Sequence, residues 1–243
     1  SYRPYIEALC EFLSFPLKNT YSTYLDIDKY TLPQDEVKKL KDLPQDILTL
    51  PQINLSGIRK VRNLPSASKR TIKRLDEIFT EEMPHMDCGK ILSEVNPLGG
   101  EEKARAVLDS LKRTGGKPSD VMYVGDSITD VEALLLVKEE GGVAVSFNGN
   151  EYAVRSAEIA CISPHTLPIF ILADIFHREG KEGILRRAIT WPQSLGEKLR
   201  KQLFTIMPFP RLEVISEDNI ERLIQESEEM RKGVRGKLIG GLG

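Results

Sequence analysis

The stretch Val121-Met122-Tyr123-Val124-Gly125-Asp126-Ser127-Ile128-Thr129-Asp130 decides how this chain is read. Strand-forming residues run into Gly125, two carboxylates stand four positions apart, and an apolar helix is predicted from Val131. In an open parallel sheet, ligands sit in the crevice outside the carboxyl ends of the strands. A strand that ends in Gly-Asp delivers a carboxylate to that crevice. Asp126 and Asp130 are therefore candidate ligands for a hard divalent cation such as Mg²⁺, which prefers oxygen.

Working outward, the pattern stays regular on both sides. Upstream, Pro97-Leu98-Gly99-Gly100 reads as a turn, and residues 101–114 as a helix whose Ala104, Val107, Leu108 and Leu111 form one stripe. Gly115-Gly116 closes it. Downstream, Gly141-Gly142 ends the helix, residues 143–147 read as a buried strand, Asn148-Gly149 as a turn, 151–157 as a helix and 159–162 as a last strand. Strands alternating with helices through short connections predict an α/β fold: a Rossmann-like, three-layer parallel sheet with right-handed crossovers.

The flanks differ in texture. Tyr5, Ile6, Leu9, Phe12 and Leu13 lie at helical spacing from the very start, and the Tyr- and Thr-rich residues 20–27 predict a strand. Asp26-Ile27-Asp28 follows no apolar lead-in and reads as a pair of solvated acids. Pro33, Pro44, Pro51 and Pro65 punctuate a helical insertion, within which a helix capped by Ser66 or Ser68 carries Ile72, Leu75, Ile78 and Phe79. Arg59, Lys60, Arg62, Lys69, Arg70, Lys73 and Arg74 form a basic cluster read as a solvated face. The chain divides into a first part of the core (1–32), a cap-like helical insertion (33–95), the main core (96–176) and a mostly helical C-terminal extension (177–243).

Composition sets bounds on function. A net charge of −2, from 34 basic and 36 acidic residues, gives no bias towards nucleic acid or anionic membrane. The longest apolar run, 167–176, is about half of the roughly 20 residues a membrane helix needs, so no membrane insertion is expected. Cys10, Cys88 and Cys161 are scattered, which fits inert thiols in a reducing cytoplasm.

Gly125-Asp126-Ser127-Ile128-Thr129-Asp130 after an apolar strand resembles motif IV of the haloacid dehalogenase (HAD) superfamily of phosphohydrolases. Lys103, in Gly99-Gly100-Glu101-Glu102-Lys103, resembles motif III. The strand and helix over 143–157 are similar to those that follow motif IV in the phosphoserine-phosphatase-like branch, and the resemblance covers residues 95–165. The opening helix and the stretch at Thr20 resemble the segment after motif II. Ser1-Tyr2-Arg3-Pro4-Tyr5-Ile6, Pro97-Leu98-Gly99-Gly100 and residues 231–243 are similar to an archaeal HAD-like family labelled subunit R of the energy-converting hydrogenase A.

The resemblance implies roles. Asp126 would bind Mg²⁺, Asp130 would complete or orient the metal shell, and Lys103 would neutralise the transferring phosphoryl group. Asn148 and Ser127 would approach a small phosphorylated substrate. Each residue also has a plainer reading: Asp126 as a helix N-terminal acid, Lys103 as a surface lysine, Asn148-Gly149 as a turn pair. In the superfamily the nucleophile is the first Asp of a DxD on the first strand. Here the chain opens at or just past motif II, so the strand bearing motif I is expected to be missing and this chain to be inactive. Two functions follow. One is a Mg²⁺-dependent, cytoplasmic phosphohydrolase working through an aspartyl-phosphate in the intact protein. The other is a non-catalytic HAD-fold interaction subunit of a hydrogenase complex.

Overall fold

The computed structural model describes residues 2–53 and 64–236. Arg59, Lys60 and Arg62 of the basic cluster, Ser1 and residues 237–243 lie outside the described residues. The chain forms two compact units, Ser1–Pro97 and Leu98–Gly243.

The first unit is helical. It contains α1 (Arg3–Leu13), α2 (Gln34–Thr49), α3 (Ser66–Asp76), which continues as a wider turn over Glu77–Glu82, and α4 (Gly89–Glu94). The strand expected over 20–27 is not formed. Tyr2 and Thr23 make a single parallel bridge, with the Arg3 amide donating to the Thr23 carbonyl at 2.9 Å. Tyr24 and Ile27 are exposed, so the side-chain burial that turns β-propensity into a strand is missing there. Pro65, not a serine side chain, stands before α3. Glu36 on α2 accepts the backbone N–H groups of Asp87 and Cys88, the latter at 3.0 Å, and so holds the approach to α4.

The second unit carries the sheet. β1 (Met122–Gly125), β2 (Val143–Phe147), β3 (Ile159–Ile162) and β4 (Arg211–Val214) lie in the order β1-β2-β3-β4. β1, β2 and β3 are parallel, with Gly125 opposite Ser146, whereas β4 runs antiparallel to β3. An antiparallel edge strand on a parallel sheet is a common mixture. It comes from the stretch the sequence sets apart as an extension, as does α10 (Ile220–Arg235).

Period-2 alternation sorts the side chains to two faces. Val143, Val145, Ile159, Cys161 and Leu212 pack against Ile171, Leu172, Ile175 and Ile184 of α8 (Leu167–Ile189) and Leu203 of α9 (Glu197–Leu203). Gly180 breaks α8 with a φ of 66° in the left-handed region that glycine adopts freely. On the other face, Ala144 meets Leu134 of α6 (Val131–Glu139) and Ala153 of α7 (Glu151–Ser156). Ala160 and Ile162 meet Val154 of α7 and Leu223 of α10. Helices thus cover both faces of a Rossmann-like α/β sheet. α5 (Glu101–Thr114) packs beside α6. No described helix is long and apolar enough to cross a membrane. Burial pushes the Cys161 thiol up to about 12, which keeps it in the unreactive protonated form.

Candidate functional site

The crevice at the carboxyl end of β1 is built around Asp130. It sits at the end of a single 3₁₀ turn, Ile128–Asp130, and is buried at 4% exposure. One carboxylate oxygen accepts from Lys103 Nζ at 2.7 Å and Tyr123 OH at 2.8 Å. The other accepts from the Asp126 amide at 3.1 Å, the Ser127 amide at 3.2 Å and Ser127 Oγ at 3.1 Å. Burial alone would push this carboxyl up. The Lys103 ammonium, the Tyr123 hydroxyl and the Asp126 amide outweigh it, so the folded-state pKa lies below the ordinary value of 3.8. Burial and the neighbouring Asp130 charge drive the Tyr123 phenol upward, so it stays a proton donor.

Lys103 reaches Asp130 because the start of α5 is tied to the crevice. The Gly100 amide donates to the Thr129 carbonyl at 2.9 Å, and Lys103 stands one turn further along. Its ammonium also donates to Thr129 Oγ1 at 3.0 Å. The resemblance implies one site for Lys103, Asp126, Ser127 and Asp130, and the fold brings Lys103 to Asp130 across 27 positions.

Gly125 is where the strand passes closest to the turn. A Cβ there would lie 2.6 Å from Asp130 Cβ and 3.3 Å from Leu134 Cδ1. Asp130 is held by its hydrogen bonds and has no room to yield. Gly125→Ala is expected to destabilise the fold by about 1–3 kcal/mol, the range for overpacking, as read from urea unfolding. A change within error would show that the turn relaxes freely.

Asp126 is arranged differently from what the sequence suggests. Its Oδ2 is met by Arg231 and by Arg235 NH2 at 2.7 Å, and Arg231 NH1 also donates to the Asp126 backbone carbonyl at 2.7 Å. Both arginines come from α10, 105 residues beyond Asp126 in the case of Arg231. Tyr123, Arg231 and Arg235 were not anticipated. Alternation along β1 was the available signal for Tyr123, but nothing local to α10 points to this crevice.

Asn148 has φ 49° and uses its amide on a neighbouring loop. Nδ2 donates to the Ser163 carbonyl at 2.7 Å, and Oδ1 accepts the Ser163 amide at 2.9 Å. Its side chain is thus bound to backbone, and the turn-pair reading accounts for its position. Ser127 Oγ faces Asp130 and Thr129 Oγ1 at 3.1 and 3.0 Å.

As arranged, these residues do not fit Mg²⁺. The cation needs an octahedron of oxygens, yet all five donors around Asp130 are protein groups and two guanidiniums hold Asp126. Among the described residues, no group of three or more His, Cys, Asp or Glu side chains is disposed to hold a metal ion.

Neither a family model nor a curated protein matches the chain. Among solved structures it is similar to gene product AF1437 from Archaeoglobus fulgidus, with a TM-score of 0.73 at 23% identity. The match covers 100% of this chain and 65% of that one, so the chain spans less than two thirds of its structural relative. At that identity the likeness is one of fold.

Proposed function

We propose that the protein is a HAD-type phosphohydrolase of the cytoplasm acting on a small phosphorylated metabolite. The observation that supports this most is the Lys103–Asp130 pair, a contact of 2.7 Å between the residues that resemble motifs III and IV. Lys103 is only 25% exposed and its partner 5%, so its charge is partly shielded from water and fixed in direction. Phosphoryl transfer is mainly positioning and neutralisation of charge on the equatorial oxygens, and a fixed ammonium with the Ser127 and Thr129 hydroxyls beside it is suited to that work. In the reaction the resemblance implies, a carboxylate displaces the alcohol from phosphorus, and water then releases phosphate.

The test is hydrolysis of a panel of small phosphomonoesters by the full-length natural protein that carries this chain. Lys103→Met is expected to lower kcat by roughly 100-fold or more, the scale of losing one electrostatic stabiliser. Unchanged kcat in that variant would sink the role given to Lys103.

A second reading, a HAD-fold subunit retained for docking in a larger hydrogenase complex, is favoured by one observation. Asp126, the residue that chemistry would use, is already engaged by Arg231 and Arg235. Absence of turnover across the panel would select it.

A further inference from the structure

Arg231 and Arg235 are one helical turn apart on α10, and both meet the same oxygen of Asp126. Like charges at this spacing cost an isolated helix a few tenths of a kcal/mol, so the pair is stabilised by the anion it shares. The two arginines are not equivalent. The Arg231 side chain is 4% exposed and also held by the Asp126 carbonyl, whereas that of Arg235 is 44% exposed. One is part of the interior and the other is a surface group that can be altered without opening the core.

Among the described residues, Asp130 pairs with Lys103, and Asp126 pairs with both Arg231 and Arg235. A divalent cation arriving at Asp126 meets two guanidiniums already seated on its carboxylate. It must also take an oxygen from two charge-assisted hydrogen bonds, the strong kind.

We propose that Arg231 and Arg235 take the place of the divalent cation at Asp126, so that the seating of α10 on this carboxylate and cation binding exclude one another. The idea rests on the phosphohydrolase reading for the expectation that a cation belongs at Asp126. Cation dependence of the protein is then set by α10, a helix far from Asp126 in sequence.

The experiment is a calorimetric titration of MgCl₂ into the wild-type protein, Arg235→Gln and the double variant Arg231→Gln/Arg235→Gln. Circular dichroism confirms that each is folded. Arg222→Gln serves as control, since Arg222 is on the same helix but pairs with Glu213 and Glu226. Losing this exposed contact, worth up to about 1 kcal/mol, corresponds to roughly a two- to fivefold gain in apparent Mg²⁺ affinity for Arg235→Gln, with Arg222→Gln matching wild type. Should the double variant fail to fold, the single variant and its control carry the comparison alone. Equal affinity in wild type and Arg235→Gln overturns the proposal. So does the lack of any binding in the folded variants, because the guanidiniums would then not be what keeps the cation out. Neither result depends on turnover, so failure here is distinct from failure of the Lys103→Met test.

Discussion

Asp130→Ala is expected to destabilise the protein by about 3–5 kcal/mol, the range for removing one member of a buried, hydrogen-bonded charge pair. The substitution strands the Lys103 ammonium and the Tyr123 hydroxyl on one side, and the Asp126 and Ser127 amides on the other. Water can reach Lys103, which softens its loss, but the amides directly follow the buried Gly125. Asp130→Asn keeps the shape and should lose less, because its amide oxygen still accepts while its NH₂ faces a donor. Urea unfolding with an unchanged m value measures both. A loss under about 1 kcal/mol for alanine, the size of an exposed pair, would mean that the network is solvated and holds nothing together.

The same carboxylate sets an acid limit. Its folded pKa lies below the unfolded value of 3.8, so its stabilisation is complete above 3.8 and is lost as pH falls through the depressed folded value. Wild type should therefore lose stability steeply below that point, and Asp130→Asn should lose less. Parallel pH curves for the two proteins would show that other carboxylates dominate.

Asp126→Ala is the second large effect. It leaves the Arg231 guanidinium, 4% exposed, without its carboxylate, although the Asp126 carbonyl remains an acceptor. Removing one member of a buried charge pair costs about 3 kcal/mol. At about 2–4 °C per kcal/mol for a chain of this size, Tm should fall by roughly 6–12 °C. Arg235→Gln breaks an exposed contact with the same oxygen and should cost no more than about 1 kcal/mol. The combination Asp126→Ala/Arg231→Met removes both ends of the buried pair and should recover part of the loss, since an apolar replacement of a whole pair is often near neutral. Additive losses in that double variant would mean that Arg231 and Asp126 do not act as a pair.

What could be read in advance follows from the range of the interactions. β1, its Gly-Asp turn and α6 were legible because strand, turn and helix signals are local and agreed with each other. The meeting of Lys103 and Asp130 was reached through the resemblance, since spacing alone leaves Lys103 a surface lysine on an amphipathic helix. Residues 20–27 misled because Tyr and Thr favour strands only where a neighbouring strand and a core exist to pair with. Within the mostly helical extension, residues 212–215 read as strand-like, but nothing in their composition says that β4 runs antiparallel beside β3. The helix that opens at Ser216 reads as ending at Met230, short of Arg231 and Arg235, whereas α10 runs on to Arg235. That these arginines close on Asp126 is a tertiary fact carried by the packing of Leu223 and its neighbours on the sheet.

The clasp between Asn148 and Ser163 has its own consequence. Two hydrogen bonds join the loop after β2 to the loop after β3, at the end of the sheet where the crevice opens. Those loops are ordered when the chain folds, and the conformational entropy of fixing them is lost at that stage. A ligand entering the crevice meets a floor that is already set, and the free energy of the encounter is not diminished by having to freeze it.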